Sequence, residues 1–137
     1  MILSFKENLV QPIVDGTKIH TIRTDKTDRW TVGRKIDFWK GNPRNPQCNP
    51  YNFSDKVPHE TTCQGIQSIQ IYWGNSTPCA GVLPVIIVNG IKRKTEEFIG
   101  ALAKNDGFHN WFDFMKWESW YFQDFEGKII HWTNFRY

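Results

Sequence analysis

Cysteine is scarce in this sequence. The 137 residues hold only Cys48, Cys63 and Cys79, too few and odd in number for a disulfide framework. No apolar run approaches the roughly 20 residues that cross a membrane. The opening MILSFKENLVQP has no basic stretch followed by a sustained apolar segment, so no signal peptide is expected. These features together favour a reducing, cytoplasmic compartment. A dominant charge of one sign is also missing. Seventeen Lys and Arg against 14 Asp and Glu leave a net charge of +3. That balance excludes a disordered polyelectrolyte and does not by itself indicate nucleic-acid binding. There is no internal repeat, low-complexity tract or interdomain linker, so residues 1–137 are expected to form one domain. A chain of this length buries roughly two-thirds of its unfolded surface and needs neither disulfides nor a metal to fold.

Aromatic side chains are plentiful: 7 Trp, 4 Tyr and 10 Phe. This exceeds what a core of this size requires, so part of it should be exposed or line a cavity. Charge is also unevenly spread. Residues 1–40 and residues 41–94 each carry a net +3, and residues 95–137 carry −3. An anionic ligand would meet the first two-thirds of the chain, unless the charges are simply scattered over a solvated surface.

Residues 6–15 read as a short helix with Leu9, Val10, Ile13 and Val14 on one stripe. Pro12 is expected only in its first turn, and Gly16 is expected to end it in a left-handed conformation. KIHTIRTD follows as a strand, Gly33 marks a turn, and KIDFWK alternates as a second strand. Residues 41–65 hold four Pro and four Asn and read as a long loop or insertion that could shape a site. In residues 66–73, Ile69, Ile71 and Trp73 alternate against Ser68, Gln70 and Tyr72, as in a half-buried strand. Asn89-Gly90 between LPVIIV and IKRK is a type I′ hairpin signal. Thr95 can cap a helix over 96–104, with Glu96 and Glu97 suiting its positive end, and Asn105-Asp106-Gly107 ends it. Asn110 can cap another over 111–122, where Trp111, Phe114, Met115 and Glu118 share a face and Phe122 follows a turn later. Gly127 is expected to open a last strand, KIIHWT. The predicted class is α+β, with a curled, mostly antiparallel sheet or small barrel and helices at one side.

Functional groups crowd GTKIHTIR. Lys18, His20, Thr21 and Arg23 lie within six positions directly after a helix stop. In a regular strand Thr21 and Arg23 share one face, and Lys18 and His20 the other. Lys18 can reach Thr21 if it sits in the turn before the strand. A polar edge strand with no chemistry is the alternative.

The pattern G-x-K-x-x-T-x-R after a short helix, filled here by Gly16, Lys18, Thr21 and Arg23, resembles the signature of the ASCH domain family. VGRKIDFW, TCQGIQSIQIYW, NDGFHNWFDFMKW and FEGKIIHW resemble its following elements, so the resemblance covers nearly the whole chain outside the Pro/Asn-rich loop. It implies a PUA-like β-barrel with a short N-terminal helix and two helices before the last strand. It also implies RNA or a modified nucleoside as partner, no cofactor and no membrane. Some small members remove the acetyl group from N4-acetylcytidine with a Lys, a Thr and a separate Glu. Carried over, these imply Lys18 and Thr21. At the comparable helix boundary this chain has Asp106, one carbon shorter. Thr21 would be the nucleophile and Lys18 its base. Asp106 would orient Lys18 or shuttle a proton, and Arg23 would clamp a phosphate or a carbonyl oxygen.

Nucleobases stack on aromatic faces. Trp30 and Trp39 flank the strand after the motif and, with Arg23 and His20, are the substrate-binding candidates, with Trp73 and Trp132 as further walls. Trp111, Trp117 and Trp120 read as helix packing. Cys48, His59, Cys63 and Cys79 lack a C-x-x-C knuckle and read as inert rather than as a zinc site. His109 and His131 read as ordinary surface or strand histidines. A protein-interaction module without catalysis, with its aromatics forming an interface, is the alternative function.

Overall fold

The computed structural model describes residues 1–74, 82–117 and 123–137, apart from the Trp117 side chain. The class is α+β. Its order is β1 (Ile2–Phe5), α1 (Glu7–Val14), β2 (His20–Arg23), β3 (Asp37–Lys40), β4 (Tyr51–Asn52), β5 (Gly65–Tyr72), β6 (Val85–Val88), β7 (Ile91–Arg93), α2 (Glu96–Asn105), α3 (Trp111–Trp117) and β8 (Phe125–His131). Among the described residues the strands form two sheets, β1-β3-β4 and β2-β8-β5-β6-β7, and not the closed barrel expected. The sheets approach each other where Cys63 N–H donates to the Arg34 carbonyl and Ile36 N–H to that of Thr61, and among the described residues an isolated bridge, Lys35 with Thr62, joins them there without a continuous ladder. No described helix is long and apolar enough to cross a membrane.

Strand β8 lies between two cores. Ile129 faces the first, where α2 and α3 lay Ile99, Leu102, Phe114 and Met115 on Ile69, Ile71 and Ile86. Its neighbour Ile130 faces the second, with Phe5, Ile13, Phe38, Phe53 and Trp132. The period-2 alternation of a strand produces this split. The same rule sorts β2. Ile22 pairs with Ile129 and joins the first core, and Thr21 pairs with Ile130 and turns toward the second.

Several local expectations hold. Gly16 ends α1 at φ 80°. Asn89 and Gly90 both have positive φ, and Val88 pairs with Ile91 across them. The Thr95 side chain accepts Phe98 N–H at 3.2 Å, and Asn110 accepts Asp113 N–H at 2.8 Å. Ile69, Ile71 and Trp73 are buried, and Ser68 and Tyr72 are exposed. Phe114 and Met115 face the core; Glu118, Trp120 and Phe122 lie outside the described residues, as does Cys79.

Other expectations are corrected. Pro12 is the sixth residue of α1, well past the first turn. Its missing N–H deprives only the carbonyl of Asn8, an exposed residue of the first turn, and its own carbonyl accepts the Thr17 and Lys18 amides, both at 3.0 Å. The last strand begins at Phe125, so Gly127 lies inside it. A Cβ there would come within 2.6 Å of the Arg23 carbonyl, which explains why a glycine occupies a strand interior. Strand β1 was not anticipated; it pairs in parallel with β3. The Pro/Asn-rich stretch is ordered into two single-turn 3₁₀ helices and β4, with Phe53 fully buried.

Candidate functional site

Lys18 stands between two helix ends. The carbonyl of Pro12 in α1 holds its amide, and the next amide, Ile19 N–H, donates to Asn105 at the end of α2 at 2.9 Å. These bonds place Lys18 in the turn before β2 and free its direction from strand alternation. The side chain is fully buried. Its Nζ donates to the Asp106 carbonyl at 2.7 Å and lies 2.9 Å from Asp106 Oδ1. Asp106 caps the C-terminus of α2, where the helix dipole makes a carboxylate unfavourable. The Lys18 ammonium supplies the positive charge that this helix end calls for.

His20 Nδ1 lies 3.3 Å from the same Oδ1, and its Nε2 is 2.6 Å from the Tyr137 hydroxyl. Asn105 Nδ2 donates to that hydroxyl at 3.0 Å. The Asp106 carboxylate can only accept, so a neutral His20 carries its proton on Nδ1 facing Asp106, and its Nε2 then accepts from the Tyr137 hydroxyl. The Lys18 contact to Oδ1 is close in distance but poorly aligned as a hydrogen bond, so its attraction is mainly ionic. His131 Nε2 meets Gln67 Oε1 at 3.0 Å, and its ring stands edge-on to His20 with centroids 5.3 Å apart. The Gln67 amide also exchanges hydrogen bonds with the Tyr137 backbone.

Burial governs the protonation of this network. It lowers the His20 pKa, although Asp106 pulls the other way. It likewise pushes His131 down to about 3, with help from His20 and Arg136. Burial alone would raise Asp106, but the Lys18 ammonium and then His20 outweigh it and hold the carboxyl below its usual range. Burial drives the Tyr137 hydroxyl upward. The result is one buried ion pair with two neutral histidines.

The structure thus brings Lys18, His20 and Asp106 together. Thr21 is buried on the opposite face of β2, the face that Arg23 shares. The Lys18 ammonium lies 5.8 Å from the Phe5 ring centre and the Arg23 guanidinium 5.5 Å from it. Phe5 is therefore the meeting point of the motif's two cations. Arg23 also donates to the Ser4 carbonyl at 2.7 Å. Trp30 is a buried member of the second core, and Trp39 is half-exposed on β3. Trp73 and Trp132 are core residues. Cys63 is buried, and Cys48 lies on the loop with its Sγ donating to the Asn45 carbonyl.

Two clefts flank this network. The larger, about 1000 Å³, opens between the ends of α1 and α2 and is lined by Thr17, Lys104, Asn105, Phe108, His109 and Lys116 among others. Gly107 also lines it and separates it from Lys18: a Cβ on Gly107 would stand 3.1 Å from Lys18 Cδ. The second, about 620 Å³, lies beside β1, and both Arg23 and Trp30 line it. Sequence reasoning missed Tyr137, Asn105, Gln67 and the role of His131. Each acts through a contact distant in the chain, and no local pattern marks it. No family model matches the chain, and neither does any curated protein or solved structure.

Proposed function

We propose that this chain is an ASCH-type, PUA-like module, with its two sheets as an open variant of the barrel, that binds RNA or a modified nucleoside in the cytoplasm. The observation that carries this reading is the buried contact of Lys18 with Asp106 beneath the large cleft. Burying an ammonium and a carboxylate together is costly, and a hydrophobic pair of the same size often serves stability as well or better. Such a pair at the motif, directly behind a cleft with amide, aromatic and cationic walls, supports a ligand site in that cleft. Phe108 offers a stacking face, Asn105 and Thr17 offer hydrogen bonds, and Lys104 and Lys116 offer positive charge.

Hydrolysis of an N4-acetylcytidine-like amide is a second reading, favoured by the carboxylate at the motif lysine. In that chemistry Lys18 first gives its proton to Asp106, the Thr21 hydroxyl then passes its own proton to the freed Lys18 amine, and its oxygen bonds to the acyl carbon. The C–N bond then breaks, the amine leaves with the proton from Lys18, and water releases acetate from the threonine ester. The test is incubation with N4-acetylcytidine while cytidine release is followed, alongside equilibrium binding of both nucleosides. Turnover lost in Thr21→Ala with binding retained supports hydrolysis. Binding without turnover in the wild type leaves a binding module. Absence of both refutes the nucleoside reading.

A further inference from the structure

We infer that the cleft beside β1 is a phosphate-binding subsite, so that the ligand of this protein is a nucleotide or an RNA strand and not a free nucleoside. The inference rests on the nucleoside reading above for the identity of the base-bearing part alone. Three arginines from three separate segments, Arg23 of β2, Arg29 of the following loop and Arg44 of the Pro/Asn-rich stretch, line this cleft. Ser4, Thr24 and Asn42 add hydroxyl and amide groups, and no carboxylate is among its described lining residues.

Arg23 is held by its side chain, and Arg29 and Arg44 by their backbones. Arg23 is anchored on the Ser4 carbonyl and rests over the Phe5 ring, and its enclosed Nε has no hydrogen-bond partner among the described residues. The Arg29 backbone is pinned by Asp25, whose two side-chain oxygens accept Arg29 N–H at 2.9 Å and Trp30 N–H at 3.1 Å. Asp25 is a buried negative charge close behind a cationic cleft, and Lys128 of β8 lies 3.5 Å from it to offset that charge. Lys128 is bound in turn to Asp28 of the same loop. The Arg44 backbone is set by the Asn42 side chain, which accepts its N–H at 2.9 Å. Three arginines with fixed backbones around a carboxylate-free hollow suit a phosphate ester. Guanidinium matches its oxygens two at a time, and the fixed backbones lower the cost of ordering the site. The Pro/Asn-rich stretch thereby gains a role as one wall of the subsite.

The test compares cytidine, cytidine 5′-monophosphate, a short single-stranded RNA and inorganic phosphate, with wild-type protein and with Arg29→Gln, Arg44→Gln and the double variant. Arg29 and Arg44 are exposed, so the variants should fold normally. The monophosphate is expected to bind at least about tenfold more tightly than cytidine. Each arginine loss should take about tenfold from phosphate-bearing ligands and nothing from cytidine. The salt slope for RNA should fall by about one for each charge removed. RNA bound far more tightly than the mononucleotide points to backbone phosphates as the source, and equal affinity points to a mononucleotide. Either result upholds the subsite. Equal affinity of cytidine and its monophosphate, or a double variant that binds phosphate-bearing ligands as wild type does, overturns it. Binding of RNA and inorganic phosphate without any cytidine binding upholds the subsite and refutes the nucleoside reading instead.

Discussion

Asp106→Asn isolates the energetics of the motif. It keeps the shape of the side chain and removes the charge that faces the fully buried Lys18. The ammonium then has no counter-charge in a site closed to water. Removing one partner of a buried pair costs about 3–5 kcal/mol. For a domain of this size each kcal/mol lowers the midpoint by about 3 °C, so Tm should fall by about 10–15 °C. The measurement is urea and thermal unfolding near pH 7. Asp106 has a lowered folded pKa, so its contribution is fully present above the unfolded carboxyl value and is lost as pH falls through the folded one. The partner variant is Lys18→Met with Asp106→Leu, which replaces the pair by apolar groups and should recover most of the loss. A single variant that costs less than about 1 kcal/mol, or a double variant no more stable than the single, would show that the pair is not the buried charge unit described.

Further outcomes follow from the same geometry. His131 is held neutral, with a folded pKa near 3 against an ordinary value of 6.5. A lowered histidine pKa means the unfolded chain binds the proton first, so stability is full above about pH 6.5 and falls as pH drops toward 3. The slope from this group should approach about 1.4 kcal/mol per pH unit, and urea unfolding between pH 7 and 4.5 should show it flattened in His131→Gln. Gly107→Ala should destabilise by about 1–3 kcal/mol in thermal melts, because it forces a side chain to φ 94° with its Cβ 3.1 Å from Lys18.

Local signals were legible where one residue type solves one local problem. Asn89-Gly90 supplies two positive φ values, Thr95 and Asn110 supply helix caps, and Gly16 ends α1. Period-2 burial in β5 is visible because one face of that strand is covered along its length, Gln67 by the His131–Tyr137 network and Ile69 and Ile71 by the first core. Strand β1 was missed although Leu3 and Phe5 are buried in alternation, because four residues without a flanking turn carry little signal and the partner, β3, lies more than 30 residues away. Pro12 was misplaced because a proline past the first turn is tolerated where the carbonyl it deprives, here that of exposed Asn8, stays open to water, and exposure is set by the fold.

The amino-acid sequence by itself determined the α+β class, the hairpin, the helix caps and the crowding of Lys18, His20, Thr21 and Arg23 after a helix stop. These are decided by bonds within a few residues of one another, which a linear reading contains. Only the tertiary structure decided that Lys18 turns to Asp106, 88 residues on, that Tyr137 closes the His20 hydrogen bond, and that Arg23, Arg29 and Arg44 line one cleft. Such contacts depend on how two sheets and three helices share two cores. The reason is that a buried charge accepts whatever compensating partner the packing brings within about 3 Å, and nothing in local sequence specifies which residue that will be.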